Sequence, residues 1–174
     1  VADAIRIRRL DTIGEREIQG LSDVLIDCVE GGASVSFMLP MTRAKAETFW
    51  RNAAAGVARG ERVVLSAEDE TGIVGTVQII LAQPENQPHR GDLAKMLVHR
   101  RARRRGIGEA LLVAAERSAL DAGKTLLVLD TASDDAERLY ARQGWQRCGI
   151  IPNYALLPDG RPCATTYFFK SLRD

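Results

Sequence analysis

KMLVHRRARRRGIGEALL, Lys95 to Leu112, is the stretch whose reading decides the fold. An apolar strand ends at Val98, an Arg- and Gly-rich turn follows, and an amphipathic helix opens directly from that turn. Glycines at 106 and 108 let the backbone approach a ligand with no Cβ in the way. The first helical turn leaves N–H groups unpaired, and the helix dipole favours an anion beside them. Flanking arginines add charge-assisted donors. The physical reading is a phosphate cradle, with a solvated basic turn or a nucleic-acid contact as the plainer alternatives. No Gly-Lys-Ser/Thr follows, so this is not a P-loop. Leu111 stands where a dinucleotide fingerprint needs its third glycine.

Charge supports that reading. The chain has 174 residues and a net charge of +1. Residues 90–105 alone hold seven basic side chains against one acid, so the remainder is mildly acidic. One concentrated cationic site on such a body suits an anionic ligand.

The same strand-then-helix logic extends outward. Upstream, residues 5–10 alternate as a first strand. Ile18, Leu21, Val24, Leu25 and Cys28 mark a helix that stops at Gly31-Gly32. Thr42 caps a second helix running to about Gly60. Residues 62–69 and 73–83 form a hairpin across a Gly-containing turn. Residues 90–99 form the strand that enters the basic turn. Downstream, the helix from Ile107 ends at Gly123, and Thr125 to Asp130 is a continuous apolar strand of the kind found inside a sheet. Asp134 with Glu137 gives a capping pattern for a helix through Gln143. Residues 145–150 begin another strand, Pro152 to Arg161 reads as a loop, and residues 164–172 form the last strand. The order β-α-α-β-β-β-α-β-α-β-β describes a single α/β domain over residues 1–174, with no linker.

Composition narrows the classes. Hydrophobic residues are 45% and charged residues 27%, which is globular. No apolar run approaches the ~18 residues of a membrane span. The N-terminal stretch lacks the apolar core of a leader. Three cysteines, far apart, give neither a metal set nor a disulfide framework. A cytoplasmic enzyme with no metal and no membrane partner is expected.

Arg103-Arg104-Arg105-Gly106-Ile107-Gly108 resembles the Arg/Gln-x-x-Gly-x-Gly/Ala signature of the GCN5-related N-acetyltransferase (GNAT) superfamily. Ala136-x-x-Leu139-Tyr140-x-x-x-Gly144-Trp145 resembles that family's second segment, and the element order fits over nearly the whole chain. Three positions depart: Arg104 stands where many members have Gly, Arg100 where many have Pro, and Ser133 where many have an Asn that helps hold the cofactor. The resemblance implies a GNAT-like fold, a mixed and mostly antiparallel sheet with splayed central strands flanked by helices. It implies acetyl-CoA as co-substrate. Pantetheine would lie along Met96, Leu97 and Val98, with a backbone N–H near Val98 bonding the acetyl carbonyl. The pyrophosphate would rest on the backbone N–H groups of Arg103, Arg104, Arg105, Gly106, Ile107, Gly108 and Glu109. Ser133 would touch the cofactor, and Arg100 or Arg101 would meet the 3′-phosphate. Tyr140 matches the family's acid, which protonates the leaving thiolate; the alternative is a tyrosine packed by its ring.

Gly31 to Val35 with Phe37-Met38, Leu129-Asp130-Thr131, Pro158 to Arg161, and Tyr167-Phe168-x-Lys170-x-Leu172 resemble the tabtoxin-resistance branch, which acetylates a β-lactam amino-acid toxin. A small-molecule amine, an amino acid or such a toxin, is therefore the expected acceptor. Asp130, ending a buried strand, is the candidate to take the ammonium proton or hold the amine; the alternative is a carboxylate capping a turn. Glu68, Asp92 and His99 stand in reserve. Phe37, Tyr154 and Arg161 are candidate substrate contacts, Arg161 for a carboxylate. Phe37 and Met38 would otherwise pack on Trp50, and Asp159 reads as a plain turn residue.

Three other readings stay open: a protein or peptide N-acetyltransferase, a CoA-binding domain without catalysis, and a nucleic-acid-binding module. Only 5% of residues are aromatic and none interleaves with the arginine run, so base stacking is poorly supplied. No nucleic-acid partner is expected. A monomer or a homodimer fits equally.

Overall fold

The computed structural model describes residues 4–173. Of the N-terminal stretch read for a leader, Val1 to Asp3 lie outside the described residues. The elements follow the expected order: β1 (Arg6–Arg9), α1 (Glu15–Glu30), α2 (Arg43–Ala58), β2 (Arg62–Asp69), β3 (Gly72–Ile80), β4 (Arg90–Val98), a 3-10 turn (Arg100–Ala102), α3 (Ile107–Asp121), β5 (Leu126–Thr131), α4 (Asp134–Arg142), β6 (Gln146–Leu156) and β7 (Pro162–Ser171). Seven strands form one sheet in the order β1-β2-β3-β4-β5-β7-β6. All pairs are antiparallel except β4 with β5.

Both faces of the sheet are covered, which is why β2 and β3 read as near-continuous apolar runs. On one face α1 and α2 bury Leu21, Leu25 and Trp50 with Val64 and Leu97. On the other, Ile107, Leu111 and Ala115 of α3 pack on Leu65, Val77 and Ile79. A Cβ at Gly75 of β3 would meet Ile107 and the Leu97 carbonyl at 3.1 Å, so the start of α3 lies hard against the sheet.

The central pair splays as expected. Only Arg90, Gly91 and Asp92 of β4 pair with Leu126, Leu127 and Val128 of β5. Beyond them β4 keeps only β3 and β5 keeps only β7. A wedge-shaped gap therefore opens along Leu93 to Val98.

Two expectations are corrected. The cap of α4 is Ser133, whose hydroxyl accepts from the Ala136 N–H at 3.3 Å; Asp134 is already the first helical residue. Ser133 has the extended backbone that a capping residue requires. The segment from Pro152 is not all loop, because β6 continues to Leu156. A proline fits there because β6 is an edge strand, and the register slips between Ile151 and Ala155. Only Leu157 to Arg161 form the turn into β7.

Candidate active site

The site begins where β4 loses β5. The His99 N–H donates to the Val74 carbonyl at 2.8 Å, so by strand alternation the Val98 N–H faces the opposite way, into the gap. The basic turn continues from there. Arg104 has φ of 62° and Gly106 φ of 74°, both left-handed. Left-handed residues among extended ones turn successive amides toward one side, and the unpaired amides of the first turn of α3 add to them. Glycine suits position 106 for its backbone. Gly108 suits close packing instead: a Cβ there would meet Leu139 Cδ2 of α4 at 3.2 Å.

Most of the arginines in this turn are tied to the body. Arg100 pairs with Asp27 at 3.0 Å. Arg101 donates to the Thr71 hydroxyl at 3.1 Å, Arg105 pairs with Asp69 at 2.8 Å, and Arg103 donates to the Val98 carbonyl at 3.4 Å. The Thr71 hydroxyl and Arg105 hold the Asp69 carboxyl down at about 2. Arg104 makes no side-chain hydrogen bond or ion pair among the described residues. The side chains thus brace the turn. The Arg101, Ala102 and Arg103 N–H groups are spent inside it, on His99 Nδ1 and on the His99 and Arg100 carbonyls, so Arg103 does not offer the free amide expected of it, and the open amides begin at Arg104.

On the other side of the gap lies a cavity of about 340 Å³. It is lined by Ser34, Ser36 and Met38 from the loop after α1, by Asp130 at the end of β5, and by Tyr154 and Thr165 from the last hairpin, with their neighbours. Thr165 donates its hydroxyl to Asp130 Oδ2 at 2.7 Å. The Tyr154 and Tyr167 hydroxyls lie 2.8 Å apart. That bond, then burial, then the Asp130 charge push Tyr167 up to about 12. The Leu39 N–H donates to the Pro158 carbonyl at 3.0 Å, which ties the loop after α1 to the hairpin turn and closes the cavity on that side.

Tyr140 sits in the last turn of α4, 3% exposed, with its ring 5.7 Å from Trp145 and 5.8 Å from Phe168. Burial, and less so the Asp130 charge, raise its phenol above the ordinary range. The ring packing expected as the alternative is present, and it leaves a phenol that stays protonated at neutral pH.

The structure brings Asp130 and Tyr154 into one cavity; Tyr140 lies outside its lining but near enough for the Asp130 charge to act on its phenol. Other candidates lie elsewhere. Arg161 is outside the lining, its side chain 74% exposed and its guanidinium paired with Asp159 at 2.7 Å. Its position in a tight exposed turn explains this, and Asp159 is the turn residue expected. Phe37 is half-buried and meets Phe49 edge-on at 5.5 Å, with Phe49 in turn against Trp50. Ser133 lies at the cap of α4. Glu68 is buried between Arg6 and Arg8 at 2.6 and 2.8 Å. Asp92 is bonded to Arg90 and Gln83. His99 accepts from the Arg101 N–H at 3.2 Å and caps the 3-10 turn. Sequence reasoning missed Lys95, Thr165 and Tyr167. Lys95 was visible as a lone charge in the apolar run LAKML, but its direction depends on a bulge that the sequence does not announce. No group of three or more His, Cys, Asp or Glu side chains suited to a metal occurs among the described residues. No helix among them is long and apolar enough to cross a membrane.

Comparisons with known proteins agree with this geometry. The family model of the acetyltransferase (GNAT) family matches residues 34–145. An uncharacterized N-acetyltransferase in the hisH-hisA intergenic region of Azospirillum brasilense is 27% identical over 128 residues, 72% of this chain and 74% of that protein. The solved structure of a ribosomal-protein-alanine N-acetyltransferase from Brucella melitensis superposes with a TM-score of 0.78 at 24% identity, covering 95% of this chain and 99% of that one. A phosphinothricin acetyltransferase from Sinorhizobium meliloti, solved in complex with AcCoA, superposes with a TM-score of 0.77 at 16% identity, covering 98% and 89%. At such identities the two structures show a shared fold.

Proposed function

This chain belongs to the GNAT acetyltransferase family, and from that premise we propose that it is an acetyl-CoA-dependent N-acetyltransferase acting on a small amine through one domain spanning the chain. An amino acid or a β-lactam amino-acid toxin is the acceptor class. The observation that carries the reading is the gap between β4 and β5, with a braced, amide-rich turn at one end and a carboxylate-bearing cavity beside it.

The residues fit the cofactor. The open edge of β4 at Met96 to Val98 offers strand-like hydrogen bonds to the pantetheine amides. The amides from Arg104 to Glu109 suit a pyrophosphate, and Ser133 lies near enough in sequence to the end of β5 to border the same gap. Acetyl-CoA supplies an activated acetyl group. The Val98 N–H is a single oxyanion donor facing the gap. Asp130 accepts from Thr165 on one oxygen and keeps the other for an ammonium, which it holds or deprotonates. Tyr140, a phenol already protonated at neutral pH and held further from ionising by burial, is the acid for the leaving thiolate.

The bond from Leu39 to Pro158 ties the loop after α1 to the hairpin turn, and a cavity of about 340 Å³ suits a small acceptor better than a peptide. A thiol-release assay with acetyl-CoA tests the reading across amino acids, polyamines, antibiotics and peptides. Thiol release with small amines is expected. Release with peptides alone would overturn the small-amine assignment and leave the acetyltransferase.

A further inference from the structure

Lys95 is the one charged side chain in the splayed half of β4. Thr76 pairs with Leu97 and Gln78 with Ala94, so Val77 faces both Lys95 and Met96. The extra residue is a β-bulge, and Lys95 takes a left-handed φ of 53° within it. Its ammonium is thereby aimed at the acceptor side. Lys95 is not itself a lining residue, but it borders the cavity through Ser36: Nζ donates to Ser36 Oγ, which lines the cavity, at 3.2 Å and stands 5.6 Å from the Phe49 ring centroid.

Near Lys95, Arg62 is packed against α2: a Cβ at Gly56 would meet its Nε at 2.7 Å. Arg62 donates to Gln78 Oε1 at 2.9 Å. Gln78 is 1% exposed, yet its Nε2 has no partner, and Arg62 Nε is likewise buried and unpartnered. Buried donors in folded proteins are rarely left so. Neither Arg62 nor Lys95 forms an ion pair among the described residues, although both are partly buried. Burial, with the Arg62 charge adding to it, brings Lys95 below the ordinary lysine range; Asp130 acts in the opposite sense. The acceptor side therefore carries a separated charge pair, Asp130 at one side and the Lys95–Arg62 cations at the other, with the cations short of an anion.

We propose that Lys95, backed by Arg62 and Gln78, is an anion-recognising subsite of the acceptor cavity, so that the acceptor is an amine that also bears a carboxylate or a like oxyanion. This rests on the small-amine reading above. It transfers to Lys95 the carboxylate contact that the sequence suggested for Arg161. The substrate's ammonium faces Asp130 and its carboxylate faces Lys95.

The test uses matched acceptors that differ only in the carboxylate: phenylalanine against phenethylamine, methionine against 3-methylthiopropylamine, and lysine against cadaverine. Wild-type enzyme is expected to favour the amino acid in kcat/KM. In Lys95→Met the ratio of amino acid to amine should fall about ten- to a hundred-fold, the range of a lost hydrogen bond to a charged group. Gln78→Glu, which offers Lys95 and Arg62 an internal carboxylate, should lower the same ratio, and Arg161→Ala should leave it unchanged. Equal losses on both members of each pair in Lys95→Met would overturn the subsite and make Lys95 a general positioning residue. A wild-type preference for the decarboxylated amines would overturn it while leaving the small-amine reading intact. Release with peptides alone would overturn both.

Discussion

From Val98 to Glu109 the groups turned toward a ligand are main-chain amides within one short run of sequence. Around Asp130 they are side chains drawn from the loop after α1, the end of β5 and the last hairpin. In the first region the side chains serve the backbone: Arg100, Arg101 and Arg105 reach out to Asp27, Thr71 and Asp69 and hold the turn in shape. In the second the backbone serves the side chains, as the bulge at Lys95 and the slipped register of β6 show. A cofactor common to a family can be read by amides, which every residue carries. An acceptor that differs between members has to be read by side chains.

The largest expected effect tests whether chemistry belongs to the side-chain region. Tyr140→Phe keeps the ring against Trp145 and Phe168, so melting temperature and acetyl-CoA affinity should stay near wild type. Turnover should fall ~10²-fold or more, the usual contribution of a positioned acid. Because burial raises the phenol, wild-type activity should show no loss from Tyr140 ionising up to pH 10. Wild-type turnover in the variant, with chemistry rate-limiting, would return Tyr140 to packing alone.

Gly108→Val probes the backbone region. A valine there is a branched side chain on the first turn of α3, among the amides proposed for the pyrophosphate, and calorimetry should show the acetyl-CoA Kd rising at least about ten-fold. The branched side chain also presses on Leu139, so some stability is lost. Gly108→Ala separates the two effects, because Leu139 Cδ2 can yield by a few tenths of an ångström. An unchanged Kd in folded Gly108→Val would break the contrast between the regions.

The bracing is tested at Asp69. Its carboxyl is held at about 2, below the ordinary 3.8, by Thr71 and Arg105, so this stabilisation is present above pH ~4 and is lost as pH falls toward 2. Allowing for the partly exposed Arg105, the contribution is about 1–2 kcal/mol. Asp69→Asn should lower stability by that amount at pH 7 and weaken acetyl-CoA binding with it. The stability difference between variant and wild type should shrink between pH 4 and pH 2. A constant difference across that range would remove the ion pair from the explanation.

Arg161→Ala gives the smallest expected effect. An exposed pair with Asp159 is screened by solvent and contributes little, and KM for amino acids should be unchanged. A large rise in KM would mean that the hairpin turn closes over the acceptor.

The order of elements, the cap at Thr42, the stops at Gly31 and Gly123 and the cationic turn before α3 were all legible in the sequence. Each depends on groups a few residues apart: periodicity, a capping hydroxyl, a glycine after a helix. The end of β6 was not legible, because Pro152 reads as a strand breaker unless the strand lies at a sheet edge. The cap at Ser133 was obscured because Asp134 is an equally good capping residue by type. Asp130 could be found because it ends an apolar strand. Lys95 could not, because a one-residue bulge decides where its ammonium points, and that bulge exists only in the pairing with β3. Arg161 looked like a carboxylate reader by residue type, and only the packed hairpin shows its guanidinium spent on Asp159. Local hydrogen bonding and burial pattern thus determined the fold and the glycine-bearing cationic turn before α3 from sequence alone. The acceptor cavity was decided by tertiary structure, because its walls come from segments far apart in the chain and their directions depend on strand register.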